Sequence, residues 1–71
     1  MPMRVRELIA WLESDGWYQV RSSGSHRQFH HALKPGTVTV SGGLGMEVPP
    51  GTLMSALKQA GLKKGVPPWT M

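Results

Sequence analysis

The sequence predicts an α+β domain of order α-β-β-β-α, with two helices on one face of a three-stranded antiparallel sheet. Three observations carry this. Apolar residues recur at helical spacing near both ends of the chain, three short β-branched or aromatic segments lie between them, and Gly, Pro and Ser mark the joints. Each helix has one apolar stripe and the sheet alternates, so the economical packing covers one sheet face with both helices and leaves the other wet.

Each element has its own justification. From Arg4 to Ser14, Val5, Leu8, Ile9 and Leu12 fall at i, i+3, i+4 and i+7, with Arg4, Arg6, Glu7 and Glu13 on the other side. Asp15-Gly16 supplies a stop, because glycine past the last periodic residue closes a helix. Trp17 to Arg21 reads as a first strand, Ser22-Ser23-Gly24-Ser25 as a turn, and His26 to His31 as a second strand. Lys34-Pro35-Gly36 is a turn and Thr37 to Val40 alternates as a third strand. Ser41 to Met46 has no periodicity and reads as a flexible loop, before a helix carrying Leu53, Ala56, Leu57 and Ala60 on one face. Gly61 ends that helix, with Leu62 folding back as its apolar cap contact. Residues 1–62 are expected to form one domain and residues 63–71 a flexible tail.

A chain of 71 residues holds one small core, which excludes a cofactor domain beside a catalytic domain, and no cofactor is expected. The absence of cysteine excludes disulfides, thiolate zinc sites and a thiol nucleophile. The longest apolar run is Leu8 to Leu12, far short of the roughly 18 residues of a membrane span, so the expectation is a soluble cytoplasmic protein. Eight Lys/Arg against four Asp/Glu give a net charge of +4, which favours a polyanionic partner, nucleic acid or an acidic protein.

In the second strand His26, Gln28 and His30 share one face, while Arg27, Phe29 and His31 share the other. Phe29 marks the core face, so His26 and His30 point to the wet side. Gly24-Ser25 turns the chain immediately before His26, presenting its imidazole on a rigid support; imidazole changes charge near neutral pH and suits proton transfer. RNA cleavage is one reaction a lone histidine can serve, because the nucleophile is the substrate's own 2′-OH. Neither a protein nucleophile nor a metal is then needed. Arg21, Arg27 and Lys34 lie near this hairpin in sequence as candidate phosphate contacts. The plainer alternative is a surface histidine without a task.

Other readings are weaker. His26, His30 and His31 match no zinc spacing and have no nearby Cys or carboxylate, so no metal site is expected. The Gly-rich Ser41 to Gly45 loop fits neither phosphate-cradle pattern. Trp11, Trp17 and Tyr18 are possible base-stacking residues, although at least one of Trp17 and Tyr18 is expected to pack the core.

The ordered series Asp15-Gly16-Trp17-Tyr18, Gly24-Ser25-His26, Gln28-Phe29, Lys34-Pro35-Gly36, Val38-Thr39-Val40, Gly51-Thr52-Leu53 and Leu57-Lys58-Gln59-Ala60-Gly61-Leu62 resembles the HicA toxins of toxin–antitoxin systems. The resemblance runs from about residue 4 to residue 62. It implies a double-stranded-RNA-binding-domain-like fold and a ribosome-independent mRNA interferase. Its catalytic histidine would be His26. From their place in the hairpin and near it, Gly24, Ser25, Arg21, Arg27 and Lys34 are the residues expected around the RNA, and no metal is expected to take part. It also implies a HicB antitoxin that covers the histidine, with the free toxin monomeric and the silenced form a hetero-oligomer. The alternative function is a non-catalytic RNA- or protein-binding module of the same fold. This chain departs from the family pattern in the uncharged stretch Ser41 to Met46 before Glu47, in Met54 for a frequent Arg and in Pro50 for a frequent Lys. Each missing cation removes a potential phosphate contact, so weakened RNA affinity is expected.

Overall fold

The computed structural model describes residues 3–62; the expected tail, 63–71, lies outside them. Helix α1 spans Val5–Ser14, strand β1 Trp17–Ser23, β2 His26–His31, β3 Val38–Val40, and helix α2 Pro50–Gln59. The strands form an antiparallel meander in the order β1-β2-β3, confirming the α-β-β-β-α layout. No helix of the described residues is long and apolar enough to cross a membrane.

The core gathers one stripe from each helix against one face of the sheet. Val5, Leu8, Trp11 and Leu12 of α1 and Ala56, Leu57 and Ala60 at α2 close over Trp17, Phe29, Val38 and Val40, with Val48 sealing the approach to α2. Ile9, Leu53 and Leu62 are half-buried at the rim. Of the three aromatics considered for stacking, Trp11 and Trp17 are core residues and Tyr18 is half-exposed. Burying two indoles and a phenyl ring is how so short a chain assembles sufficient apolar area.

Strand β1 is longer than expected. Ser22 and Ser23 pair with Arg27 and His26, leaving only Gly24-Ser25 as the turn. Serine is a weak strand former in isolation, but here the tight hairpin supplies partners for its backbone. Strand β3 is shorter, beginning at Val38.

The stretch Ser41 to Met46, expected to be flexible, is instead tied to the start of α1. A helix begins with four N–H groups that have no intrahelical acceptor. Here the Val5 N–H donates to the Met46 carbonyl (2.8 Å) and the Arg6 N–H to that of Leu44 (3.1 Å), while the Glu7 and Leu8 N–H groups use the Arg4 carbonyl. The Arg4 guanidinium donates to the Gly45 carbonyl, and the Glu7 carboxylate accepts the Arg4 N–H. Backbone amides from one end of the chain thus fix a segment that side-chain patterning leaves unassigned.

At the other end of the sheet, His31 ties three elements together. Its Nδ1 accepts the N–H groups of Leu33 (2.9 Å) and Lys34 (3.2 Å), so Nε2 carries the proton and donates to the Asp15 carbonyl at 2.6 Å. The Lys34 ammonium bonds the Asp15 carboxylate (2.5 Å) and the Ala60 carbonyl (2.9 Å), placing a cation where the α2 dipole is negative. Helix α2 closes with the Gly61 N–H on the Lys58 carbonyl and the Leu62 N–H on that of Leu57, the two bonds of a Schellman cap.

Candidate functional site

Strand β2 separates its side chains as period-two geometry requires. Phe29 is fully buried and His31 lies beside Trp17, their rings 5.2 Å apart edge to face; His26 and His30 are exposed on the opposite face. Gly24 has φ +60, which suits the first central position of a type II′ hairpin turn, and that turn delivers the chain to His26 as the first residue of β2.

The His26 ring is held from one side. Its Nδ1 lies 3.0 Å from the Ser41 hydroxyl, immediately past β3, and Nε2 has no partner among the described residues. A hydroxyl that accepts from Nδ1–H leaves the Nε2 lone pair outward, ready to take a proton. Sequence reasoning missed Ser41 because it sought a carboxylate to orient the imidazole. The available signal was the antiparallel register, which places Gln28 opposite Thr39 and so carries Ser41 beside His26.

Arg21 reaches the same face through an irregularity. Gln19 pairs with Phe29 and Arg21 with Gln28, leaving Val20 as an extra residue. This bulge brings Tyr18 and Arg21, three residues apart, onto one face, which a regular strand would forbid. Arg21 is exposed, and its Cα lies diagonally across from His26, a separation of about 7–8 Å in a regular pair.

The other proposed cations are engaged elsewhere. Arg27 points away from the His26 face, and its guanidinium donates to the carbonyls of Gly42 (2.9 Å) and Ser25 (3.3 Å), bracing the hairpin turn against the loop after β3. The Gly42 N–H returns a bond to the Ser25 carbonyl. Lys34 sits at the far end of β2, held by Asp15 and the end of α2, and is not brought to His26. Ser25 is engaged through its carbonyl, and Arg21 is the proposed cation that shares the His26 face. The three histidines do not converge, since His31 faces the core with both nitrogens bonded. His26 and His30 stand four residues apart, about 13 Å along a strand.

Among the described residues, the open face from Ser23 and His26 to Tyr18 and His30 also lacks carboxylates. All four acidic residues lie elsewhere: Glu7 and Glu13 on α1, Asp15 at its end, and Glu47 before α2. A polyanion approaching His26 across this face meets no like charge in its surface.

The fold and site define a small basic α-β-β-β-α domain that offers a tethered imidazole on an open sheet. The family of the HicA toxin of bacterial toxin–antitoxin systems matches residues 5–62, which include both helices and all three strands. The chain belongs to the HicA toxin family and is the toxin of a toxin–antitoxin pair. None of the curated proteins matches it.

Proposed function

We propose that this toxin is a ribosome-independent endoribonuclease, an mRNA interferase in which His26 is the general acid/base and no metal is required. The supporting observation is the His26 imidazole itself, bound through Nδ1 to Ser41 with Nε2 open on a face without carboxylates. Nε2 takes the proton of a ribose 2′-OH, and the 2′-oxygen forms a bond to the adjacent phosphorus as the bond to the 5′-oxygen breaks. The leaving oxygen receives a proton from the imidazolium or from water. The products are a 2′,3′-cyclic phosphate and a 5′-hydroxyl. Arg21 is placed to offset charge that builds on the phosphoryl oxygens. A HicB antitoxin silences the enzyme by covering His26, and the reaction belongs to the cytoplasm, where mRNA is found.

The test is incubation of labelled single-stranded RNA with the purified protein in EDTA. The expected products carry cyclic phosphate ends, and a 2′-deoxy substitution at the cut position blocks cleavage. Cutting of the deoxy substrate would remove the mechanism. The engagement of Arg27 and Lys34 by the protein's own groups favours the second reading, a non-catalytic RNA- or protein-binding module; binding without any cutting is its expected result.

Ser41 enters as a positioning residue. Loss of one orienting hydrogen bond, worth about 1 kcal/mol, corresponds to a roughly fivefold fall in kcat for Ser41→Ala. KM and affinity for uncleavable RNA should stay constant, and Ser41→Thr should restore the rate. A rise in KM, with weaker binding of uncleavable RNA, would indicate a role in binding instead.

A further inference from the structure

Resting on the nuclease reading, we propose that Tyr18 and His30 form a base-stacking subsite for single-stranded RNA at the end of the open sheet face remote from His26. The two residues are directly paired across β1 and β2 on the face opposite the core. Tyr18 is 50% exposed, the adjacent bulge residue Val20 is 45% exposed, and His30 is exposed with its Nε2 3.1 Å from the Thr37 hydroxyl. Directly opposed residues have Cβ atoms about 5 Å apart, so the two side chains rise next to each other and border one ledge, the His30 ring on its Thr37 side.

Its chemistry suits a nucleobase. Tyr18 leaves half of a planar ring in water on a sheet whose Trp17 and Phe29 are buried, and bases stack on such rings whatever their sequence. Thr37 holds the imidazole, so less side-chain freedom is lost on binding. The ledge is continuous with the catalytic end: Arg21 and Gln28 are paired between it and His26. The separation of about 13 Å along β2 means that the stacked base is displaced from the nucleotide being cut. The missing cations of the loop before α2 also gain a physical counterpart. A strand held partly by stacking needs fewer phosphate contacts, and its affinity depends less on salt.

The experiment uses an uncleavable 2′-O-methyl decanucleotide, titrated by fluorescence anisotropy against wild type, Tyr18→Ala, Tyr18→Phe and the control Met54→Ala, which removes a comparably exposed side chain from α2. Tyr18→Ala is expected to bind roughly tenfold more weakly, with the slope of log affinity against log salt unchanged. Tyr18→Phe and Met54→Ala should bind as wild type. Thermal melts accompany each variant, and Tyr18→Val, a good strand former, replaces Tyr18→Ala if that variant melts early. Wild-type affinity in the folded variant would overturn the proposal. So would loss of antitoxin binding with RNA affinity intact, which would make the ledge a protein-docking surface. Failure of the nuclease reading is seen separately, as wild-type protein that binds this oligonucleotide but cuts no RNA.

Discussion

His26→Ala is expected to abolish RNA cleavage while the protein stays folded. The imidazole is exposed, and its one side-chain bond is to Ser41, itself an exposed residue. Removing it leaves no cavity and strands no buried polar group, so the change in stability should stay within about 0.5 kcal/mol. The chemical loss is far larger. General acid–base catalysis contributes about 10²–10⁴-fold, and no neighbouring carboxylate stands ready to replace the imidazole. Cleavage rates and thermal melts of the variant beside wild type check both halves, with retained affinity for uncleavable RNA as the internal control. Cleavage at the wild-type rate would take the reaction away from His26.

His31→Ala, five residues along the same strand, is expected to do the reverse. The side chain is 8% exposed and supplies the acceptor for two backbone N–H groups and the donor to Asp15. It also packs edge-on against Trp17. Those bonds and the space left by the ring together cost about 3 kcal/mol, a large share of the 5 or so kcal/mol typical of a domain this size. The midpoint of thermal unfolding should fall by roughly 15 °C. Gly16→Ala strikes the same knot from its other side. Gly16 has φ +102, and an added Cβ would come within 2.8 Å of His31 Nε2. Because both changes act on one contact, the double variant should lose less than the sum of the singles, as double-mutant melts would show. Full additivity would mean that the two positions are independent.

Three histidines in one six-residue strand therefore have three different situations, and the sequence distinguishes two of them. Phe29 settles which face is buried, and alternation then places His26 outward and His31 inward. The helices were legible for the same reason: burial imposes a period on side chains, and the period is written in residue types. The limits of the reading lie where backbone decides. The bulge at Val20 changes which face Arg21 occupies, and no residue type announces it. The stretch after β3 looked flexible because its bonds to α1 are made by carbonyls and amides that every residue carries. Arg27 and Lys34 were grouped with His26 by nearness along the chain. Cations reach for whatever carbonyl or carboxylate the fold brings close, and here those were Gly42, Ala60 and Asp15. Ser41 was hidden for the opposite reason, being distant in sequence and adjacent in register.

The clamp between α1 and the segment after β3 bears on when the site becomes complete. During synthesis α1 has its leading amides open until Leu44 and Met46 follow, and the same segment carries Ser41 to His26. A nascent chain that has already exposed the Gly24-Ser25-His26 turn still lacks both the partner of its imidazole and the lock on its first helix. Under the nuclease reading, a chain that ends before Ser41 holds its imidazole and its α1 amides less firmly than the finished fold does.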